Sequence, residues 1–502
     1  MKKKDPFGKA SCEAEVLTLG EEKYSDLYFD ETPFNDVAID DDTYLIIGRR
    51  GSGKTALAQY FSFQKRITNP ICIEVRKPEM YQQVLSEISK RTSESRVIAV
   101  AHLKRVWEFV IWSLIAEAIK EDAPEVAKTR RLEARTETVS HYVADLIEYL
   151  MSLFNEDDKD TSGASLERIV DAAGLNLAKQ AAMKVAKKRP LIIAIDTLEQ
   201  YDIENESLMN ALAALIEYAS EFNLEYAPQS IHLKTFVSGE VFQHLKEAVL
   251  LNLSKAVRNP VYLLWRPRDL LRLIGWRLYR HLEESNLWVA KSTKIDWEDV
   301  DDVLEKVWRP HFGSSLKNAI NIEEDTWPYI LRHTQMRPRQ LILICNSIAK
   351  LAIQDGTFPH FRDEHIINGI REAELDLASE ILNSFSAIYP RVESIVAALM
   401  RIPKVFHGNE LDKRASQSAA EWPDKYSPSL FKQLVAELGI VGRVTRGAID
   451  TEYIDADFEY ASTERLLLTH RDTCVIHPMF YRKLNVDLNS EARVMPFTTK
   501  RG

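Results

Sequence analysis

Two periods of apolar residues divide the chain. Short, largely apolar runs predict buried strands. They are Thr43–Gly48 (TYLIIG), Pro70–Val75 (PICIEV), the start of Pro190–Asp202 (PLIIAIDTLEQYD), Ile231–Glu240 (IHLKTFVSGE) and Asn259–Trp265 (NPVYLLW). Between them, KTALAQYFSFQKR, HLKRVWEFVIWSLIAEAIKED and SLMNALAALIEYASEF space their apolar residues as helices do. Strands alternating with helices predict an α/β fold with a parallel, doubly wound sheet.

Beyond Trp265 the helical period dominates as far as Leu382, in RPRDLLRLIGWRLYRHLEES, WEDVDDVLEKVW, RPRQLILICNSIAKLAIQ and RDEHIINGIREAELDLASEIL. The pattern then changes. Helices RVESIVAALM and SPSLFKQLVAELG precede strand candidates IVGRVTR, FEYAS and RLLLTH, and CVIHPMFYRKLN follows. Two helices and a hairpin within about a hundred residues match a winged-helix-like module. The last residues, VMPFTTKRG, are expected to form a loose tail.

The 502 residues carry a formal charge of -10, which argues against nonspecific coating of nucleic acid. No run of eighteen apolar residues is present, and the N-terminal MKKKDPFGKASCEAE lacks an apolar leader core. A soluble, cytoplasmic protein with no membrane partner is the expectation. Cys12, Cys72, Cys345 and Cys474 lie too far apart to suggest a zinc site or a disulfide framework. Trp107 and Trp112 read as core residues.

The first strand candidate runs into Gly48-Arg49-Arg50-Gly51-Ser52-Gly53-Lys54-Thr55, followed by Ala56. This fits G-x-x-x-x-G-K-[ST], a loop whose glycines let backbone N–H groups curl around phosphate oxygens at a helix N-terminus. Gly48 to Ala56 are therefore the expected nucleotide-binding residues. Lys54 is expected to reach the β- and γ-phosphates, and the Thr55 hydroxyl to ligate Mg²⁺. Arg49 and Arg50 occupy variable positions and are expected to be solvated. LIIAID places Asp196 after a buried strand, where an acid completes the magnesium shell.

Hydrolysis also needs a group that orients water. Thr197 follows Asp196, so the usual second acid is absent, and Glu199 is the candidate, with Asp202 and Glu240 as alternatives. Ser238 and Glu240, ending TFVSGE, occupy the position of a γ-phosphate sensor. Arg266-Pro267-Arg268 and Arg337-Pro338-Arg339 each mark a helix start. Arg337 or Arg339 is a candidate phosphate sensor, and Arg266 or Arg268 a candidate finger for a neighbouring subunit.

Together, TPFNDVAIDDDTYLIIGRRGSGKTALAQYF, LIIAIDTLEQ, LLWRPRDLLRLIGWRL and HTQMRPRQLILICNSI resemble a bacterial P-loop ATPase family related to the STAND and KAP signalling NTPases. The resemblance implies an ASCE/AAA-like core followed by a helical lid and a winged-helix-like C-terminal domain. With the pattern along the chain, the expected division is a strap (1–40), a P-loop core with a helical insertion (41–265), a lid (266–384), a winged-helix-like domain (385–490) and a tail (491–502). The resemblance further implies ATP and Mg²⁺ as ligands, and a nucleotide-gated conformational or oligomeric switch. An effector protein encoded nearby, homo-oligomerisation and, by association, a role in defence against phage or mobile DNA also follow from it. The competing reading is a DNA-transaction ATPase that grips duplex DNA with the winged helix. A kinase is a third, without a distinct acceptor site. The helix SPSLFKQLVAELG offers only Lys432 and Gln433 to a groove, although Arg443 and Arg446 could touch phosphate, so a protein-facing module is favoured over nucleic acid.

Overall fold

The computed structural model describes residues 5–75, 96–128, 139–156, 175–196, 205–248, 257–288, 294–318, 320–423, 426–449 and 451–497. The chain forms two compact units. One is continuous, Pro33–Leu263, and the other joins Met1–Thr32 to Leu264–Gly502. The opening segment thus belongs with the C-terminal half rather than simply leading into the first strand. It contains helices α1 (Cys12–Leu19) and α2 (Glu21–Leu27).

The continuous unit begins with α3 (Pro33–Ile39), β1 (Leu45–Gly48), α4 (Lys54–Phe63) and β2 (Ile71–Val75). Helices α5 (Arg96–Ala118), α6 (Val139–Glu156) and α7 (Leu175–Ala186) lead to β3 (Leu191–Asp196). Then come α8 (Glu206–Tyr226), β4 (Ile231–Ser238), α9 (Gly239–Ala248) and β5 (Val261–Tyr262). The five strands are all parallel, in the order β2-β3-β4-β1-β5. Burial follows that order. Every residue of central β1 and β4 is buried, whereas edge strand β2 alternates buried with half-buried. Continuous apolar runs fit strands covered on both faces. The sheet is compatible with a P-loop-like core.

Helices α5 and α8 pack together with their apolar residues inward. Trp107 and Trp112 are core residues, as expected. The Trp107 indole donates to Ala211 O at 3.0 Å, and Trp112 meets Tyr226 edge-on with centroids 4.8 Å apart. Asn223 of α8 closes a gap in the sheet. Thr235 N donates to Tyr44 O, but one residue pair earlier β1 has not yet begun. There the Asn223 amide takes the missing strand's place: its Oδ1 accepts from Leu233 N (3.1 Å) and its Nδ2 donates to Leu233 O (2.8 Å). A buried β4 edge is thereby satisfied. The turn before β1 is fastened similarly, by Lys234 Nζ donating to Asp40 O (2.7 Å) and Thr43 O (2.6 Å). Burial lowers the Lys234 pKa to about 7.

The split unit continues with α10 (Pro267–Glu284), α11 (Val300–Val303) and α12 (Arg309–Phe312). A two-stranded antiparallel hairpin, β6 (Ser315–Lys317) with β7 (Glu323–Asp325), interrupts the expected helical run. Helices α13 (Thr326–Leu331), α14 (Pro338–Gln354) and α15 (Asp363–Ser384) follow. Both Arg-Pro-Arg motifs start helices as expected, with Pro267 and Pro338 in the first turn. Residues 5–15 are tied to these helices at several points. Phe7 is fully buried against Phe312 and Phe361, and Asn346 accepts from Phe7 N and donates to Gly8 O. Arg277 donates to Phe7 O and pairs with both Glu15 oxygens at 3.1 and 3.0 Å.

The remainder comprises α16 (Val392–Val396), β8 (Val405–His407), α17 (Asn409–Ser418), α18 (Pro428–Glu437), β9 (Val441–Arg446), β10 (Tyr453–Asp457), β11 (Thr473–Ile476) and β12 (Arg493–Met495). Its sheet runs β12-β10-β9-β11-β8. Three expectations change here. FEYAS is not a strand: β10 ends at Asp457, and Glu459–Ala461 is a single 3-10 turn that buries Phe458 and Tyr460. RLLLTH buries Leu466 and Leu468 without joining a ladder, and the strand lies further on, at Thr473–Ile476. The terminal segment is not loose throughout, because β12 pairs in parallel with β10 and buries Val494 and Met495. Apolar content marks burial in all three places, while laddering depends on a partner strand distant in sequence.

Candidate functional site

Three strand ends meet at one edge of the parallel sheet. Gly48 of β1 is in register with Ser238 of β4, and Asp196 of β3 with Phe236 of β4. In open parallel sheets, ligands bind beyond the carboxyl ends of the strands. The glycine loop starts from this edge. Gly51 and Gly53 have φ of +80° and +101°, values that favour glycine, and the chain then enters α4 at Lys54. A Cβ on Gly53 would meet nothing within 4 Å, whereas one on Gly48 would come within 2.3 Å of Ser52 Oγ. The first residue must therefore be glycine for packing, and the sixth for backbone conformation.

The Lys54 side chain is buried along the loop, and its ammonium donates to Gly48 O at 2.8 Å. The Thr55 hydroxyl donates to Asp196 Oδ2 at 2.7 Å. The two residues expected to hold the metal thus converge from the first turn of α4 and the end of β3. Ser52 is buried, and Arg49 and Arg50 are half-buried rather than solvated. Glu240, at the start of α9, has 2% of its surface exposed; its Oε1 accepts from Arg50 N (2.9 Å) and its Oε2 from the Ser238 hydroxyl (2.7 Å).

Lys54, Thr55, Asp196, Ser238 and Glu240 are therefore assembled as one site, with Gly48 to Ala56 supplying backbone. Glu199 and Asp202 lie outside the described residues. The four motif arginines belong to the split unit and are engaged within it. Arg266 binds Asp269 at 2.7 and 3.3 Å, and Arg268 approaches the same carboxylate at 3.7 Å. Arg337 is buried and donates to Gln335 Oε1 (2.8 Å), while Arg339 donates to Ala10 O (3.1 Å) and Glu380 Oε1 (3.0 Å). Gly239 is a contributor that motif reading missed. A Cβ there would stand 3.1 Å from Arg49 Cγ and 3.3 Å from Arg49 N, so glycine lets α9 approach the loop. Its position between a strand-ending serine and an acid was the available signal.

The chain matches no known protein family and no curated protein. The functional reading therefore stands on the site itself. Its donor set fits the ligands expected for it: a lysine and helix-start backbone for phosphate, and a hydroxyl beside a carboxylate for a hard divalent cation that prefers oxygen. Among the described residues no helix is long and apolar enough to cross a membrane, and no group of three or more acids, histidines and cysteines could hold a metal.

Proposed function

We propose that the chain is a Mg²⁺-dependent regulatory ATPase, a nucleotide-gated switch acting on a partner protein or on its own assembly. The observation that carries the reading is the 2.7 Å contact of Thr55 with Asp196 beside the buried Lys54. The strand order supports it too, because β4 stands between the strand bearing the loop and the strand bearing the acid, the ASCE arrangement. In this reading Lys54 and the loop N–H groups bind the phosphates, and Thr55 and Asp196 hold the cation. Mg²⁺ when bound offsets phosphate charge. Glu199 is proposed to orient water.

The helices from Pro267 to Ser384 are read as a lid, and the segment that follows as a winged-helix-like module. Support for the latter comes from its helix–strand–helix–helix–strand order and from β11 lying between β8 and β9. Its α18 favours a protein partner over DNA. Phe431, Leu434, Val435 and Ala436 are buried, and Lys432 is paired with Asp412 at 2.7 Å. A groove-reading helix needs its polar side chains unengaged.

ATP binding and hydrolysis by the wild-type chain and by Lys54→Ala test the reading; equal activity in both overturns it. Mass in solution with and without ATP tests the switch. Salt-dependent binding to duplex DNA would move the assignment to a DNA-transaction ATPase.

A further inference from the structure

Glu240 presents an anion to a loop read as an anion-binding site. Its carboxylate is almost wholly buried, and one oxygen accepts a hydrogen bond from the backbone N–H of Arg50, inside the glycine loop. The other is held by Ser238, which stands beside Gly48 in the β1–β4 register. Gly239 brings the intervening backbone against Arg49. The strand end, the glycine and the acid thus form a corner that sets one carboxylate oxygen on the loop backbone.

Two consequences follow from elementary electrostatics. A loop N–H bonded to a carboxylate is already satisfied, so phosphate gains less from it. A fixed unit charge in a site largely removed from water also raises the energy of any further anion there. Each Glu240 oxygen already accepts one hydrogen bond from the protein, which holds the carboxylate to the loop and to Ser238.

We infer that Glu240 is a positioning residue that acts as an internal counter-anion of the phosphate loop: it holds the loop through Arg50 and weakens nucleotide binding by its charge, so that product is released. The inference rests on the nucleotide reading above and adds a regulatory element to that site.

Glu240→Gln and Glu240→Asp separate the two contributions. Glutamine keeps the shape and an oxygen for Arg50 N–H but removes the charge; aspartate keeps the charge and withdraws it by one methylene. Calorimetric titration with ATP and with ADP, both with Mg²⁺, is expected to give roughly tenfold tighter binding for Glu240→Gln. Glu240→Asp is expected to bind no more tightly than wild type. Steady-state turnover of Glu240→Gln should become limited by ADP release. Unchanged or weaker binding by Glu240→Gln overturns the inference, as does equal tightening in both variants. A loss of about a hundredfold in kcat with unchanged affinity would make Glu240 the catalytic base instead, and also overturns it. Failure of the wild-type chain to bind either nucleotide overturns the underlying reading itself. Nucleotide binding that the variants leave unaltered overturns only the role of Glu240.

Discussion

Thr55 and Asp196, 141 residues apart in the chain, share a hydrogen bond of 2.7 Å at the carboxyl edge of the parallel sheet. A hydroxyl from the first turn of α4 and a carboxylate from the end of β3, brought that close, give a pair of oxygens suited to one small cation. Asp196→Asn retains an acceptor for Thr55 but removes the charge. Mg²⁺-dependent ATP turnover is expected to fall by roughly a hundredfold or more, with the melting temperature nearly unchanged. Steady-state kinetics and a thermal scan on the same preparation check both parts.

Asn223 supplies the hydrogen bonds that β1 is too short to give Leu233. Asn223→Leu leaves a buried N–H and a buried C=O without it, at a cost of about 1–3 kcal/mol for each unsatisfied group. Urea unfolding should show a lower midpoint. Hydrogen exchange should show earlier loss of protection at Leu233 than at Ile193 on neighbouring β3.

Burial lowers the pKa of three histidines: His232 and His311 to about 4, and His477 to about 3. In His477, Nδ1 accepts from Met479 N and the Nε2 proton goes to the Tyr460 oxygen, an arrangement that suits the neutral ring. Each ring binds its proton more readily in the unfolded chain. Stability is therefore fully present above about pH 6.5 and is lost as the pH falls towards 4. For fully buried His477 the loss is on the order of a few kcal/mol. His477→Gln should flatten the acid side of a plot of stability against pH, measured by denaturant unfolding between pH 4 and 7.

Phe7 and the Glu15–Arg277 pair secure residues 5–15 to helices of the split unit. Phe7→Ala is expected to cost about 3–5 kcal/mol. Removing one partner of the buried ion pair, as in Glu15→Ala, is expected to cost a similar 3–5 kcal/mol because the arginine is left uncompensated. Limited proteolysis should then cut near residue 10 in both variants before any cleavage within α14. Equal resistance to wild type would show that this segment is dispensable.

What could be read in advance follows the range of each interaction. β1, β3 and β4 are continuous apolar runs, and the loop from Gly48 to Thr55 has fixed spacing, so both are visible in short windows of sequence. Asp196 was found by the same local rule. The bond from Glu240 to Arg50 was not, because it depends on the pairing of Gly48 with Ser238, 190 residues away. The short strands β8 and β12, three residues each, are below the length at which alternation can be recognised. Phe458, Tyr460, Leu466 and Leu468 announced burial by their composition, yet no local feature distinguishes a buried turn from a buried strand.

The split unit has a consequence for the order of synthesis. Phe7 leaves the ribosome some three hundred residues before its aromatic neighbours Phe312 and Phe361. At about 5–20 residues per second that is an interval of roughly 15–70 seconds, during which the Pro33–Leu263 segment can fold while the opening segment waits. Growth of the chain thus imposes an order in which residues 5–15 are made before the continuous unit but secured after it.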